Sequence, residues 1–105
     1  MGITTTSVDG ECLRLAVDGA MTVYEAGESK GELLAALADG GGLEIDLAGV
    51  EEIDTAGLQL LVLTQREGRR TGKPVRLADP SAAVLEALDR YGLRPTFDQP
   101  ADPPR

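Results

Sequence analysis

The sequence predicts a single α/β domain, with a mixed sheet and its helices on one face. Three observations carry that expectation. Leu43-Glu44-Ile45-Asp46-Leu47 alternates apolar and acidic residues, so one face of this strand is dry and the other keeps its charges in water. Carboxylates on that second face argue against a further helical layer there. Strand-like runs also alternate with segments of helical spacing, which implies parallel strands joined by right-handed crossovers. Ahead of them Asp9-Gly10 marks an antiparallel hairpin, so the sheet is mixed.

Each element has its own local reason. Ile3 to Val8 is β-branched and mostly polar, as suits an exposed edge strand. In Glu11 to Val17 the odd positions Leu13, Leu15 and Val17 form one apolar face, and Asp18-Gly19 is expected to end the strand. Cys12 falls on the weaker face, where a small buried or half-buried thiol is the ordinary reading. Tyr24 to Leu37 reads as a helix with Leu33, Leu34 and Leu37 inward, while Gly27 and Gly31 weaken its start. Gly40-Gly41-Gly42 stops it. The strand Leu43–Leu47 follows, and 48–54 is expected to be a short connection. A second helix spans about Thr55 to Thr71, with Leu58, Leu61 and Val62 as its inner stripe, widened by Leu60 and Leu63. Arg66, Arg69 and Arg70 complement the negative end of its dipole, a reading preferred here to an anion site. Gly72 ends it, and Val75–Ala78 is the last strand. Asp79-Pro80 reads as the start of a third helix, with Val84, Leu85, Leu88 and Tyr91 inward and Gly92 as its stop. Leu93 and Phe97 add a final packed segment. Residues 1–97 are thus expected to form the domain and residues 98–105 a Pro-rich tail.

Composition narrows the function. Among 105 residues there is no histidine and one cysteine. Histidine-based triads, His-ligated metals and cysteine-rich zinc sites are therefore absent, as is an internal disulfide. No cofactor is expected. Tryptophan is missing and the chain has two tyrosines and one phenylalanine, too few for a base-stacking platform. A net charge of −8 disfavours nucleic acid. Residues 1–54 hold twelve acids and two bases, residues 55–105 six acids and eight bases. That asymmetry reads either as plain surface solubility or as a polarised surface that steers a basic partner. Apolar runs such as Leu60–Leu63 fall far below the ~20 residues that span a bilayer. No charged leader followed by an apolar core is visible at the start. The expectation is a soluble cytoplasmic domain without direct membrane insertion.

The informative stretch is Leu43 to Leu61. A strand leads through a tight loop into a helix, with Asp54 or Thr55 placed to cap the free N–H groups of its first turn. Gly57 has no side chain, so another backbone or a partner can approach the turn closely. Thr55 has no histidine or lysine beside it in sequence to act as a base, so a catalytic reading is poor.

Asp46, Leu47, Val50, Ile53, Asp54, Thr55, Ala56, Gly57, Leu58 and Leu61 resemble the signature of the STAS domain, named for sulphate transporters and anti-sigma factor antagonists. Gly19, Leu33 and Leu37 before it, and Gly72 to Leu77 and Val84 to Leu88 after it, extend the resemblance over most of the chain. It implies a mixed sheet of four to five strands with three or so helices on one face, and a domain that is not an enzyme. It also implies a protein partner: a serine/threonine kinase of the histidine-kinase fold, an anti-sigma factor, a chemotaxis component or an ABC ATPase. In the antagonists the turn is Asp-Ser-Ser-Gly and a serine in it is phosphorylated, which abolishes binding. Here Ala56 stands where that serine usually is, and Thr55 is the only hydroxyl of the turn. The loop Gly19-Ala20-Met21-Thr22 also lacks the carboxylate common at its last place. The wording Ile53 to Leu61 is most similar to the chemotaxis-associated, bacterial members. A threonine turn also occurs in the STAS subunit of a lipid-transport ABC complex, where it contacts the ATPase. The resemblance makes Asp54, Thr55, Ala56, Gly57 and Gln59 the expected partner-binding residues, and Thr55 the candidate phosphorylation site.

Overall fold

The chain runs through β1 (Gly2–Asp9), β2 (Cys12–Met21), α1 (Val23–Asp39), β3 (Gly42–Ile53), α2 (Thr55–Thr71), β4 (Val75–Ala78), α3 (Ala82–Arg90) and α4 (Arg94–Asp98). This is a computed structural model, and it describes residues 2–9 and 12–98. The strands form one sheet in the order β1-β2-β3-β4. β1 and β2 pair antiparallel, and the other two pairs are parallel. The hairpin turn expected at Asp9-Gly10 lies in part, and the tail from residue 99 onward wholly, outside the described residues.

The alternation in β3 sorts its side chains as expected. Leu43, Ile45 and Leu47 are fully buried, while Glu44 and Asp46 are partly exposed on the other face. Leu15 and Val17 of β2 and Val75 of β4 join the buried side. Leu33 and Leu37 of α1, Leu58, Leu60 and Leu61 of α2, and Val84, Ala87 and Leu88 of α3 pack onto it in one cluster. Sixteen apolar residues are buried among those described. At roughly 1.5–3 kcal/mol for each large one, they are the main force opposing chain entropy. The open face carries charge instead. Arg14 of β2 pairs with Glu44 beside it in register, and lies 3.6 Å from Asp46 and 3.8 Å from Asp79.

Five local expectations need correction. β2 does not stop at Asp18-Gly19 but runs to Met21. Gly19 takes a left-handed φ of 83°, and register shifts around it absorb the turn residues as bulges. The segment 48–53 is strand, not connection, because this longer β2 pairs with it: Asp18 opposite Gly49, and Met21 opposite Ile53. The third helix is capped by Ser81, whose Oγ accepts from the Val84 N–H. Asp79, expected there, sits at φ 47° in the turn before it. Tyr91, expected on the inward face of that helix, is 51% exposed, and Ala87 is buried instead. Val62 likewise is only half-buried. The inner side of α2 continues through two polar residues, Thr64 and Gln65. Thr64 is satisfied by donating to the Leu60 carbonyl, Gln65 by donating to the Thr96 carbonyl at 2.9 Å.

Candidate functional site

β3 delivers the chain to Asp54, whose extended backbone turns it into α2. The Asp54 carboxylate serves two helices. One oxygen, Oδ1, accepts from the Gly57 N–H at 3.1 Å and caps α2. The other, Oδ2, accepts from the Val23 N–H at 2.9 Å. That second bond replaces a cap that α1 lacks, because Thr22 at its N-cap makes no side-chain hydrogen bond. The Asp54 N–H itself donates to the Met21 carbonyl, tying the turn to the end of β2. These donors hold the Asp54 carboxyl below its ordinary value of 3.8. The Val23 N–H contributes most, desolvation opposes it, and the Gly57 N–H adds to it.

Gly57 is buried, and a β-carbon on it would lie 2.2 Å from the Met21 carbonyl oxygen. The close approach permitted by this glycine is made by the protein's own backbone. Gly57 shapes the turn from beneath and offers no surface.

The remaining expected residues do reach the surface. Thr55 is exposed at the mouth of α2. Its hydroxyl stands 3.5 Å from the Tyr91 hydroxyl, at the outer limit of a hydrogen bond. Gln59, one turn on, is exposed on a ridge between two grooves. The first, of 460 Å³, lies between α2 and the end of α3, lined by Thr55, Leu58, Val62, Arg66, Tyr91 and Leu93 among others. The second, of 380 Å³, lies between α1 and α2 and includes Ala56, Val23 and Lys30. Val23, Tyr24 and Tyr91 are the exposed large apolar residues among those described. Val23 and Tyr91 touch the turn through Asp54 and Thr55, and Tyr24 follows Val23. Sequence reasoning missed Tyr24, Tyr91 and Arg66 here. Tyr91 lies just past α3, 36 residues further on, and no local signal links it to Thr55.

The one hydroxyl of the turn faces the Tyr91 hydroxyl. Among the described residues no group of three His, Cys, Asp or Glu side chains is placed to hold a metal ion, and no helix is long and apolar enough to cross a membrane.

A mixed four-stranded sheet, helices on one side and a capped hydroxyl turn at the head of α2 define a class of small α/β binding domains. Comparison with known families makes the class specific. The family model described as "Mlab, STAS domain" matches residues 4–95, and the chain belongs to the STAS domain family. No curated protein matches the chain. Among solved structures, it is similar to an anti-sigma factor antagonist from Mycobacterium paratuberculosis, with 26% identity over 92% of this chain and 82% of that one and a TM-score of 0.79. The anti-sigma factor antagonist SpoIIAA in its unphosphorylated form shares the fold at 18% identity, covering 90% of this chain and 84% of that one, with a TM-score of 0.75. The Bacillus SpoIIAA in its phosphorylated form does so at 16% identity, covering 90% and 86%, with a TM-score of 0.71. This family membership and the antagonist likeness support a regulatory, protein-binding role.

Proposed function

We propose that this chain is a non-catalytic docking module. It binds a kinase of the histidine-kinase fold or an anti-sigma factor through the Asp54–Gly57 turn and the outer face of α2, and phosphorylation of Thr55 ends the interaction. The observation that carries the reading is the exposure of Thr55 amid groups already committed to the fold. Asp54 is engaged by two backbone donors and Gly57 is buried, so the Thr55 hydroxyl is what the turn offers outward. That SpoIIAA has been solved in phosphorylated and unphosphorylated forms supports a phosphorylation switch in a protein of this fold. A phosphate adds roughly −1.5 to −2 charges. At about 6 Å and an effective dielectric of about 20, each unit pair of like charges costs about 3 kcal/mol before screening. A third of that, at an interface, already shifts affinity severalfold.

The test is a capture experiment from the source cells with wild-type, Thr55→Ser and Thr55→Glu proteins. Thr55→Ser retains the partner, and Thr55→Glu loses at least nine-tenths of it. Equal capture by all three overturns the reading. Intact mass of the native protein checks for the phosphate itself. A second reading is favoured by Ala56, which removes the usual phosphoacceptor: a constitutive subunit bound to a transporter ATPase. Copurification of a nucleotide-hydrolysing partner, unaffected by Thr55→Glu, selects it.

A further inference from the structure

We propose that the groove between α2 and the end of α3 receives one amphipathic helix of a protein partner, antiparallel to α2, with an acidic side chain of its first turn on Arg66. The inference rests on the docking function above and specifies the partner's side of it. The groove follows α2 from Thr55 to Arg66, a path of about 16 Å at 1.5 Å per residue, or three helical turns. Its floor is apolar, from Leu58, Val62 and Leu93, and both ends are polar, with Thr55 and Tyr91 at one and Arg66 at the other. That is the pattern met by a helix with an apolar stripe and charged flanks. The charge at the far end fixes the partner's sign. Arg14, Arg70 and Arg94 each hold a carboxylate of this chain. Arg66, like Arg69, Arg76 and Arg90, is exposed with no such partner among the described residues, and of these it is Arg66 that lines the groove. A carboxylate arriving at this guanidinium gains a charge-assisted bond that the chain itself does not supply.

Orientation follows from the dipole. Acidic residues favour the first turn of a helix, so an acid on Arg66 places the incoming helix's N-terminus there. Its negative C-terminal end then falls at Thr55, over the positive mouth of α2. A phosphate on Thr55 meets that negative end and repels it, which links the groove to the switch. A second copy of this chain, with its eighteen acids, and an apolar small molecule are the other occupants such a groove admits, and the crosslink below separates them from a partner helix.

Photo-crosslinking in the source cells decides the matter. Tyr91, at the groove's mouth, is replaced by p-benzoylphenylalanine in one strain, and Tyr24, beyond the turn on α1, in another. Both positions are exposed aromatics that accept this change without core packing. The expected result is capture from position 91 of one protein segment with helical apolar spacing and an Asp or Glu in its first turn. Arg66→Glu lowers that capture at least tenfold, and exchanging the captured acid for lysine restores it. Capture from position 24 alone overturns the groove and leaves the docking function standing. Silence at both positions overturns both. A crosslink from position 91 to another copy of this chain, to a non-peptide mass or to a segment lacking the acid also overturns the groove proposal.

Discussion

Asp54 has two carboxylate oxygens and divides them between the first turns of two helices. Removing the carboxylate therefore removes two caps. At about 1 kcal/mol per cap, Asp54→Ala is expected to cost about 1–3 kcal/mol, measured by urea unfolding. The pH dependence has a definite sign. The folded pKa is depressed, so the stabilisation is present above the ordinary value of 3.8 and is lost as pH falls through the lower folded value. Denaturation midpoints of wild type should drop in that window, and those of Asp54→Asn should drop less. Gly57→Ala forces a methyl group against the Met21 carbonyl, and overpacking of this kind costs about 1–3 kcal/mol. The residue types at the turn were legible, since a cap and a small residue at the head of a helix have local causes. Their partners were not, because Val23 is 31 residues from Asp54, and nothing local says which backbone fills the space left by Gly57.

Local signals also decided which elements could be read. Thr55–Thr71 and Val75–Ala78 match the structure, because Asp54, Gly72 and Pro74 punctuate them. The ends of β2 and β3 escaped notice because Asp18-Gly19 and Ala48-Gly49 have turn-like composition. Pairing between the two strands overrides it. The buried side of α2 was partly hidden because Thr64 and Gln65 look polar, although their hydrogen bonds let them lie inside. The glycines of α1 do not interrupt it, since the helix runs from Val23 through both of them. Added β-carbons at Gly27 and Gly31 meet nothing within 4 Å. Gly27→Ala and Gly31→Ala should each raise stability by about 0.5–1 kcal/mol in thermal or urea unfolding.

Across the whole molecule, the sheet separates a packed side from a charged one, as the alternation in β3 foretold. Arg14 sits among Glu44, Asp46 and Asp79, so Arg14→Gln leaves three acids facing one another. The expected loss is about 1 kcal/mol in dilute buffer and shrinks at 1 M salt, as screening predicts, when unfolding is followed at both ionic strengths. The grooves beside α2 were invisible in sequence because each is assembled from separate helices. The last consequence comes from α1. Its first N–H is held by Asp54, just before α2, and its final carbonyls at Leu37 and Ala38 are held at 2.9 Å by the Lys73 ammonium, just after α2. The two helices are thus buckled together at both tips. A carboxylate is a rigid plane, so when Asp54 swings away it lets go of Val23 and Gly57 in a single motion. In native-state deuterium exchange those two amides, far apart in the chain, should keep the same clock.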